Sequence, residues 1–498
     1  MTKLKPPKRA KIGLYSMGLK TYWGQFEGLY DRLLEYGEFI KKRMEEMGAD
    51  VVFYGMVDCE QKGLECGELF QRENVDMIFA HSATYVTSAS IIKIHQICKA
   101  HTIILNLQPT QQINYESTTT GEWLAHCGAC PVPEISNAFE RCGIDFNCIN
   151  GLLGLNYTPS SSLTNEDTAS CKEAIRAWKE IEDWIKAANA VKQLKLSRFG
   201  YLGNNYSGML DMYSDYTMLQ AQTGIHIELL EMCDLDKYLV TVTDEEIIAK
   251  RREIEEFFII SDDNSADPRA KKPTNDQLNW SAKVAVAQEK MVLDYDLDAL
   301  AYYYHGANDN YYERVQSGFI VGHSLLTAKG IPCAGEGDLK TALAMKICDL
   351  LGIGGSFCEI VCTDYVNGTI LLGHDGPFHL NIANGKPILR GLGVYHGKRG
   401  AGVSVEAKVR TGDITNLNCT QTHDGKLKFI ITEAESVDHQ IMTIGNTQTH
   451  VKFKDEPDIY MSKWFNEYPT HHFAMSVGKN KGLLTKVCKL LNINYVTL

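Results

Sequence analysis

Four continuous apolar segments, KIGLYSM (11–17), VVFYGMV (51–57), VDMIFAHS (75–82) and TIILNLQP (102–109), alternate with helical patterns in the first third of the chain. No other feature restricts the fold as much. A strand that is apolar along its whole length is covered on both faces, and strands separated by helices pair in parallel. The polar loops after these strands, GLKTYWGQ, HSATYVTS and NLQPTQQ, then fall at the carboxyl edge, where such sheets bind ligands. The polar stretch NYTPSSSLTNEDTAS (156–170) marks a linker and precedes a helix rich in Trp, Ile and Ala. A second alternating unit runs from RFGYLGNNYSGMLDMYSDYT through HIELLEM to LDALAYYYHG. After residue 350 the pattern becomes antiparallel. GGSFCEIVCTDYVNGTILLGHDGPFH predicts a hairpin turning at Asn367-Gly368 in a type I′ turn, further strands follow, and the helix GLLTKVCKLL is expected to end the chain. The expected architecture is α/β: two doubly wound parallel-sheet domains, 1–165 and 166–330, then a β-rich, barrel-like C-terminal domain, 331–498.

A length of 498 residues suits about three domains. The net charge of −12 disfavours a nucleic-acid or anionic-membrane surface, so neither partner is expected. The basic start MTKLKPPKRAK is not followed by an apolar core, and no run of 18 apolar residues occurs, which predicts a cytoplasmic protein. The 15 cysteines are odd in number and many sit in apolar runs such as AMKICDLL, as buried free thiols do. The segment AHCGACPVPE holds His126, Cys127 and Cys130. A zinc site would want a second close Cys pair, and Cys142 and Cys148 stand too far apart to supply one. The CxxC fits packing, and it also fits a redox pair.

The stretch IPCAGEGDLKTALA (331–344) sets Glu336 and Asp338 between glycines where an apolar run becomes a helix. Acids in a first helical turn cap free N–H groups, which would explain one of the two. Glu359 and His374 flank the hairpin turn, and PTHHFAMSVG adds His471 and His472. Carboxylate oxygen with imidazole suits Mn²⁺, Mg²⁺ or Co²⁺ better than a thiolate metal. His423, in a DG turn, needs no role beyond the surface. GVYHGKRGAG lacks phosphate-loop spacing, GLLGLNY lacks the acidic partner of a dinucleotide site, and no GxSxG occurs.

NLQP, TGEWLAHCGACPVPEISNAF, GNNYSGMLDMYSDYT, GEGDLKTALA, GGSFCE, LLGHDGP and PTHHF together resemble the L-arabinose isomerase family, as a divergent branch, in the expected order along nearly the whole chain. The resemblance implies a metal-dependent aldose–ketose isomerase working through an enediol. It implies one divalent ion, Mn²⁺ foremost and Co²⁺ or Mg²⁺ next, held by Glu336, Glu359, His374 and His472. Glu336 and Glu359 would double as acid and base, with Asp338 and His471 in support. Sugar contacts are implied at Lys20 or Tyr22 and near Trp123, where the family has Gln, and at Tyr206 and His305. His126 would be lent by a neighbouring subunit in a homotrimer or homohexamer with shared active sites. Pro377 replaces a family Glu, so the sugar contacts differ more than the chemistry does. The alternatives are the same chemistry on another aldose, L-fucose-like or branched, and a non-catalytic sugar-binding protein.

Overall fold

The computed structural model describes residues 8–157, 167–262, 265, 267–305, 310–392, 394–395 and 398–498. It divides into two compact units, one up to Lys192 and one from Gln193 to Leu498.

The first unit holds β1 (Lys11–Met17), β2 (Asp50–Val57), β3 (Met77–Ser82), β4 (His101–Gln108) and β5 (Phe146–Leu152), all parallel in the order β2-β1-β3-β4-β5. The strand order reverses between β1 and β3, which makes that edge the switch point of a doubly wound sheet. β3 is buried at every position, as an apolar run without alternation requires. Tyr15, Phe70, Ile91, Ile104 and Phe139 share one core. The helix Lys172–Leu194 docks on this unit. Trp178 Nε1 donates to the Leu153 carbonyl at 2.8 Å, and Asn189 Oδ1 accepts from the Ala10 N–H at 2.6 Å. The first unit therefore runs past the expected linker, of which residues 158–166 lie outside the described residues.

The second unit opens with β6 (Arg198–Gly203), β7 (His226–Leu230) and the two-residue strands β8 (Ile259–Ile260) and β9 (Ala270–Lys271), followed by β10 (Ala299–Tyr303) and β11 (Cys333–Ala334). A second all-parallel sheet forms in the order β11-β10-β6-β7, again with its reversal beside the first strand of the set. Next come β12 (Gly354–Asp364), β13 (Thr369–His374), β14 (Ile388–Leu392), β15 (Val394–Tyr395), β16 (Lys398–Arg399), β17 (Val403–Glu406), β18 (Gly412–Gln421), β19 (Leu427–Val437), β20 (Thr447–Lys452), β21 (His472–Val477) and β22 (Asn494–Thr497). β18-β21-β12-β13-β20-β19 are antiparallel neighbours, and the β18–β19 pairing closes them into a six-stranded barrel. Its interior includes Cys358, Ile370, Leu372, Ile414, Ile430 and Phe473. β8, β9 and β17 pair with β14 in a small separate sheet.

Two local expectations change. The hairpin turn is a four-residue loop, because Asp364 pairs with Thr369 and only Gly368 of the Asn367-Gly368 pair has positive φ (63°). Asp364 Oδ1 accepts from the Val366 and Asn367 N–H groups, each at 3.0 Å, and so stabilises this wider turn over type I′. The helix Lys481–Leu491 does not end the chain either. β22 follows it and adds in parallel to β19. Asn492, in the left-handed conformation (φ 53°), stops the helix and turns the chain back. Among the described residues no helix is long and apolar enough to cross a membrane. All 15 cysteines are unbridged; eight are buried, while Cys130, Cys142, Cys233 and Cys362 are exposed.

Candidate metal centre

The question of two carboxylates beside a helix start resolves in the turn after β11. Gly335–Gly337 forms one short 3₁₀ turn, and Glu336 sits at φ 58°, ψ 13° with its side chain almost fully buried. A left-handed, non-glycine residue costs about 1–2 kcal/mol, which neighbouring contacts must hold in place. Here the Tyr206 N–H donates to the Glu336 carbonyl at 3.0 Å, and Asn205 Nδ2 donates to the Gly337 carbonyl at 2.8 Å. Gly337, at φ 76°, lets that approach happen, since a Cβ there would lie 2.4 Å from the Asn204 carbonyl oxygen. Asp338 is the cap of helix Leu339–Leu350. Its Oδ1 accepts from the Thr341 N–H at 3.0 Å and its Oδ2 from the Thr341 hydroxyl at 2.8 Å.

Three neighbouring barrel strands supply the other groups. Glu359 on β12 pairs directly with Gly373 on β13 and with His472 on β21, and His374 ends β13. The ligand atoms of Glu359, His374 and His472 lie within 4.8 Å of one another, and so do those of Glu336, His471 and His472. His472 Nδ1 donates to Asp338 Oδ2 at 3.1 Å, so its Nε2 carries the lone pair. That Nε2 lies 3.2 Å from His374 Nε2 and 3.7 Å from Glu336 Oε2, while His374 Nε2 is 3.8 Å from Glu336 Oε1. The other nitrogen of His374, Nδ1, is 3.1 Å from Asp375 Oδ1. His471 is tied from the far side: its Nδ1 donates to Asp211 Oδ2 at 2.6 Å, and its Nε2 is 3.7 Å from Glu336 Oε2. Phe357 packs edge-on against His374 and tilted against His472, closing the floor with an apolar ring.

Burial dominates the protonation of these groups and partners decide its sign. For His472 burial wins and lowers its pKa, against the pull of Asp338. For His374 burial also lowers, but Asp375, then Glu359 and Glu336, outweigh it and raise the pKa. His471 is held up at about 10 despite burial, by Asp211 and then Glu336, and Asp211 falls to about 2 because His471 offsets the burial that would raise it.

The donor set fits one divalent cation. Two buried imidazoles bring their Nε2 atoms to 3.2 Å, where one ring's N–H donates to the other's lone pair, and a divalent cation can take the place of that shared proton. Two nitrogens bound at about 2.1 Å and at right angles would be about 3.0 Å apart, close to the observed spacing. Carboxylates behind ring Nδ1 atoms are the usual outer partners of metal-binding histidines. The groups open onto a cavity of about 350 Å³, lined also by Met209, Leu371, Asp375, Thr447 and Gln448.

Glu336, Asp338, Glu359, His374, His471 and His472 are thus brought together. Tyr206 stacks on Tyr303 with centroids 4.8 Å apart and meets His305 edge-on at 6.0 Å, on the loops that follow β6 and β10. Lys20, Tyr22, Trp123 and His126 belong to the first unit. Lys20 and Tyr22 bound a 3₁₀ turn after β1, and Trp123 is 54% exposed. His126 Nδ1 donates to the Glu122 carbonyl at 2.9 Å, with Thr110 Oγ1 2.8 Å from its Nε2. A cleft of about 750 Å³ in this unit is lined by Arg32, Tyr36, Glu122 and Tyr157, and by none of those four. Asp211 and Asp375 escaped the sequence reasoning. Asp375 adjoins His374 and could have been suspected, whereas Asp211 lies 260 residues from the His471 it binds and carries no local signal.

A barrel-borne pair of histidines and two acids, joined to a parallel-sheet edge, defines a candidate hard-cation centre of the kind used on polar oxygen substrates. Comparison with known proteins narrows this. No protein-family model matches the chain. It is distantly similar to L-arabinose isomerase 2 of Bacillus licheniformis, 24% identical over 336 residues that cover 64% of this chain and 66% of that relative. L-arabinose isomerases of Shouchella clausii (27% identical, 39% of this chain and 36% of that one) and Shewanella baltica (23%, 60% and 59%) also match. The matched region spans less than two thirds of each relative. A periplasmic solute-binding protein from Actinobacillus succinogenes with bound D-allose aligns at 12% identity over 66% of this chain and 78% of that one, with a TM-score of only 0.17.

Proposed function

We propose that this protein is a metal-dependent aldose–ketose isomerase acting on a free, L-arabinose-like sugar. The observation that carries the reading is the buried Nε2–Nε2 apposition of His374 and His472 at 3.2 Å, flanked by Glu336 and Glu359 above a cavity of about 350 Å³. The distant similarity to three L-arabinose isomerases supports the substrate class. Glu336, Glu359, His374 and His472 hold the cation, with Mn²⁺ preferred and Co²⁺ or Mg²⁺ accepted. When bound, it supplies positive charge to the sugar oxygens on which negative charge develops. Glu336 and Glu359 act as the acid–base pair. One takes the proton from C2 of the aldose, a proton returns to C1, and the hydroxyl proton passes from O2 to O1, so that the ketose has the composition of the aldose. Asp338 fixes the ring orientation of His472, and Asp211 fixes that of His471 beside Glu336.

The test is ketose formation from L-arabinose and a panel of other C5 and C6 aldoses, with Mn²⁺ supplied. Turnover should vanish after EDTA treatment and return with Mn²⁺. Affinity for sugars without ketose from any aldose in the metal-loaded protein would overturn the reading in favour of a non-catalytic binder. The panel also separates L-arabinose from an L-fucose-like or branched aldose, which the substitutions at Lys20, Tyr22, Trp123 and Pro377 make a live choice.

The cytoplasm, and a homotrimer or homohexamer whose sites borrow His126 from a neighbouring copy, complete the proposal. Glu336→Gln and His126→Ala, each folded and nearly inactive alone, should regain part of the activity when refolded together, because some sites then pair an intact Glu336 with an intact His126. Mixed oligomers verified by mass and no more active than their parents would refute the sharing.

A further inference from the structure

A second set of metal-ligand side chains lies at the opposite end of the hairpin from His374. Asp364, at the end of β12, His439, after β19, and His450, on β20, bring one ligand atom each within 4.8 Å of the others. Asp364 pairs with Thr369, and His450 pairs with Leu371 two residues further along β13. Residues directly opposite one another in antiparallel strands share a face, and so do residues two apart. Asp364, Thr369, Leu371 and His450 therefore stand on one face, the outer face of the barrel, since the alternate residues Ile370 and Leu372 are in the core. Thr369 and His374 are five residues apart on one strand, roughly 17 Å, so this set is separate from the first.

The hydrogen bonds orient the two rings. His439 Nδ1 donates to the Gln440 carbonyl at 3.0 Å, which leaves the lone pair on Nε2. His450 Nδ1 is occupied by the Thr369 hydroxyl at 3.1 Å, which leaves Nε2 as the nitrogen available to a ligand. A backbone carbonyl or hydroxyl behind one ring nitrogen is the outer arrangement that prepares the other for a metal. The rings stack face to face at 4.0 Å and 27°, so binding one ion through both Nε2 atoms requires one ring to rotate out of the stack. Asp364 is ionised more readily than usual, first because Asn367 hydrogen-bonds it. The nearby cation, Lys408, is paired with Asp438 and donates to the His439 carbonyl, so its charge is offset. Asn367 Nδ2, 3.3 Å from His439 Nε2, is the contact an ion would displace.

We infer that Asp364, His439 and His450 form a second cation site, selective for a borderline ion, Zn²⁺, over Mg²⁺ or Ca²⁺. Two imidazole nitrogens and one carboxylate oxygen match that ion, and the half-exposed position leaves room for water as a fourth ligand. The site needs nothing from the first one, and its test does not depend on turnover. Zn²⁺ alone is titrated into the full-length protein, and bound equivalents are counted by equilibrium dialysis and by native mass. Wild type should hold one Zn²⁺ more than either His439→Ala or His450→Ala. Asp364→Asn, which keeps an oxygen for the turn, should weaken that equivalent by about tenfold or more. A hundredfold excess of Mg²⁺ should leave it in place. Circular dichroism and the thermal midpoint identify folded variants, and His439→Gln and His450→Gln replace any alanine variant that fails to fold. Equal zinc content in wild type and both histidine variants overturns the site. So does loss in only one of them, or displacement by Mg²⁺.

Discussion

Glu336→Gln should leave the protein folded and lower turnover by on the order of 10²-fold or more at saturating Mn²⁺. The amide preserves the size of the side chain and the backbone contacts to Tyr206 and Asn205 that hold the turn. What it removes, on the proposed function, is the group that exchanges a proton with the sugar. Asp338→Asn gives the contrast. Asp338 is the one of the two acids that caps the helix, but it also accepts from His472 Nδ1. An amide there can keep the cap while presenting an N–H to a ring nitrogen that must itself donate, so His472 loses its fixed tautomer. Asp338→Asn should therefore lower metal affinity by about 10–100-fold, with turnover restored by added Mn²⁺, whereas no metal concentration should rescue Glu336→Gln. Isothermal titration with Mn²⁺ and a ketose assay separate the two. Wild-type-like turnover by Glu336→Gln ends the acid–base assignment.

Gly337→Ala should be among the most damaging small substitutions in the second unit. Two penalties coincide there. The backbone is left-handed at φ 76°, and the new methyl would lie 2.4 Å from the Asn204 oxygen and 2.9 Å from the Asn205 Cα, neither of which can swing away as a side-chain tip would. Gly352 isolates the first penalty, with φ 72° and nothing within 4 Å of a built Cβ. Gly352→Ala should cost about 1 kcal/mol, and Gly337→Ala about 3 kcal/mol or more, together with loss of metal binding as the Glu336 turn is pushed off the loop after β6. Denaturant midpoints measured side by side provide the check. Equal shifts for the two variants would mean that the close approach to Asn204 contributes nothing.

The sheets were legible because their strands carry unbroken apolar runs, and β3 is buried along its whole length as such a run demands. The barrel was legible as antiparallel strands, but its closure was not. Pairing of β18 with both β19 and β21 depends on twist and register, which leave no local mark. The hairpin turn misled because Asn-Gly is the usual sign of a two-residue loop, and the Asp364 side chain competes for the same N–H groups. Glu336, Glu359, His374 and His472 could be named through a resemblance, whereas their spacing in the chain says nothing, since they meet only through the pairing of distant strands and the turn after β11. Asp211 could not be named at all: an acid in a polar turn looks like any other until His471 arrives from the far end of the chain.

Strand register has one more consequence. Glu359, His374 and His472 stand on β12, β13 and β21, three consecutive staves of a closed cylinder, and Glu359 is the direct opposite of both Gly373 and His472. Sliding β12 or β21 by one residue would turn Glu359 or His472 to the other face and break ladders on both sides at once. The loop after β6, Asn204–Met209, lies outside the strand ladders. The molecule thus separates what is hard to change from what is easy. On the proposed function, a lineage built on it can exchange one sugar for another by rewriting loops while the strand ladders that carry Glu359 and His472 stay untouched, and large sequence drift around them is the pattern such a division leaves behind.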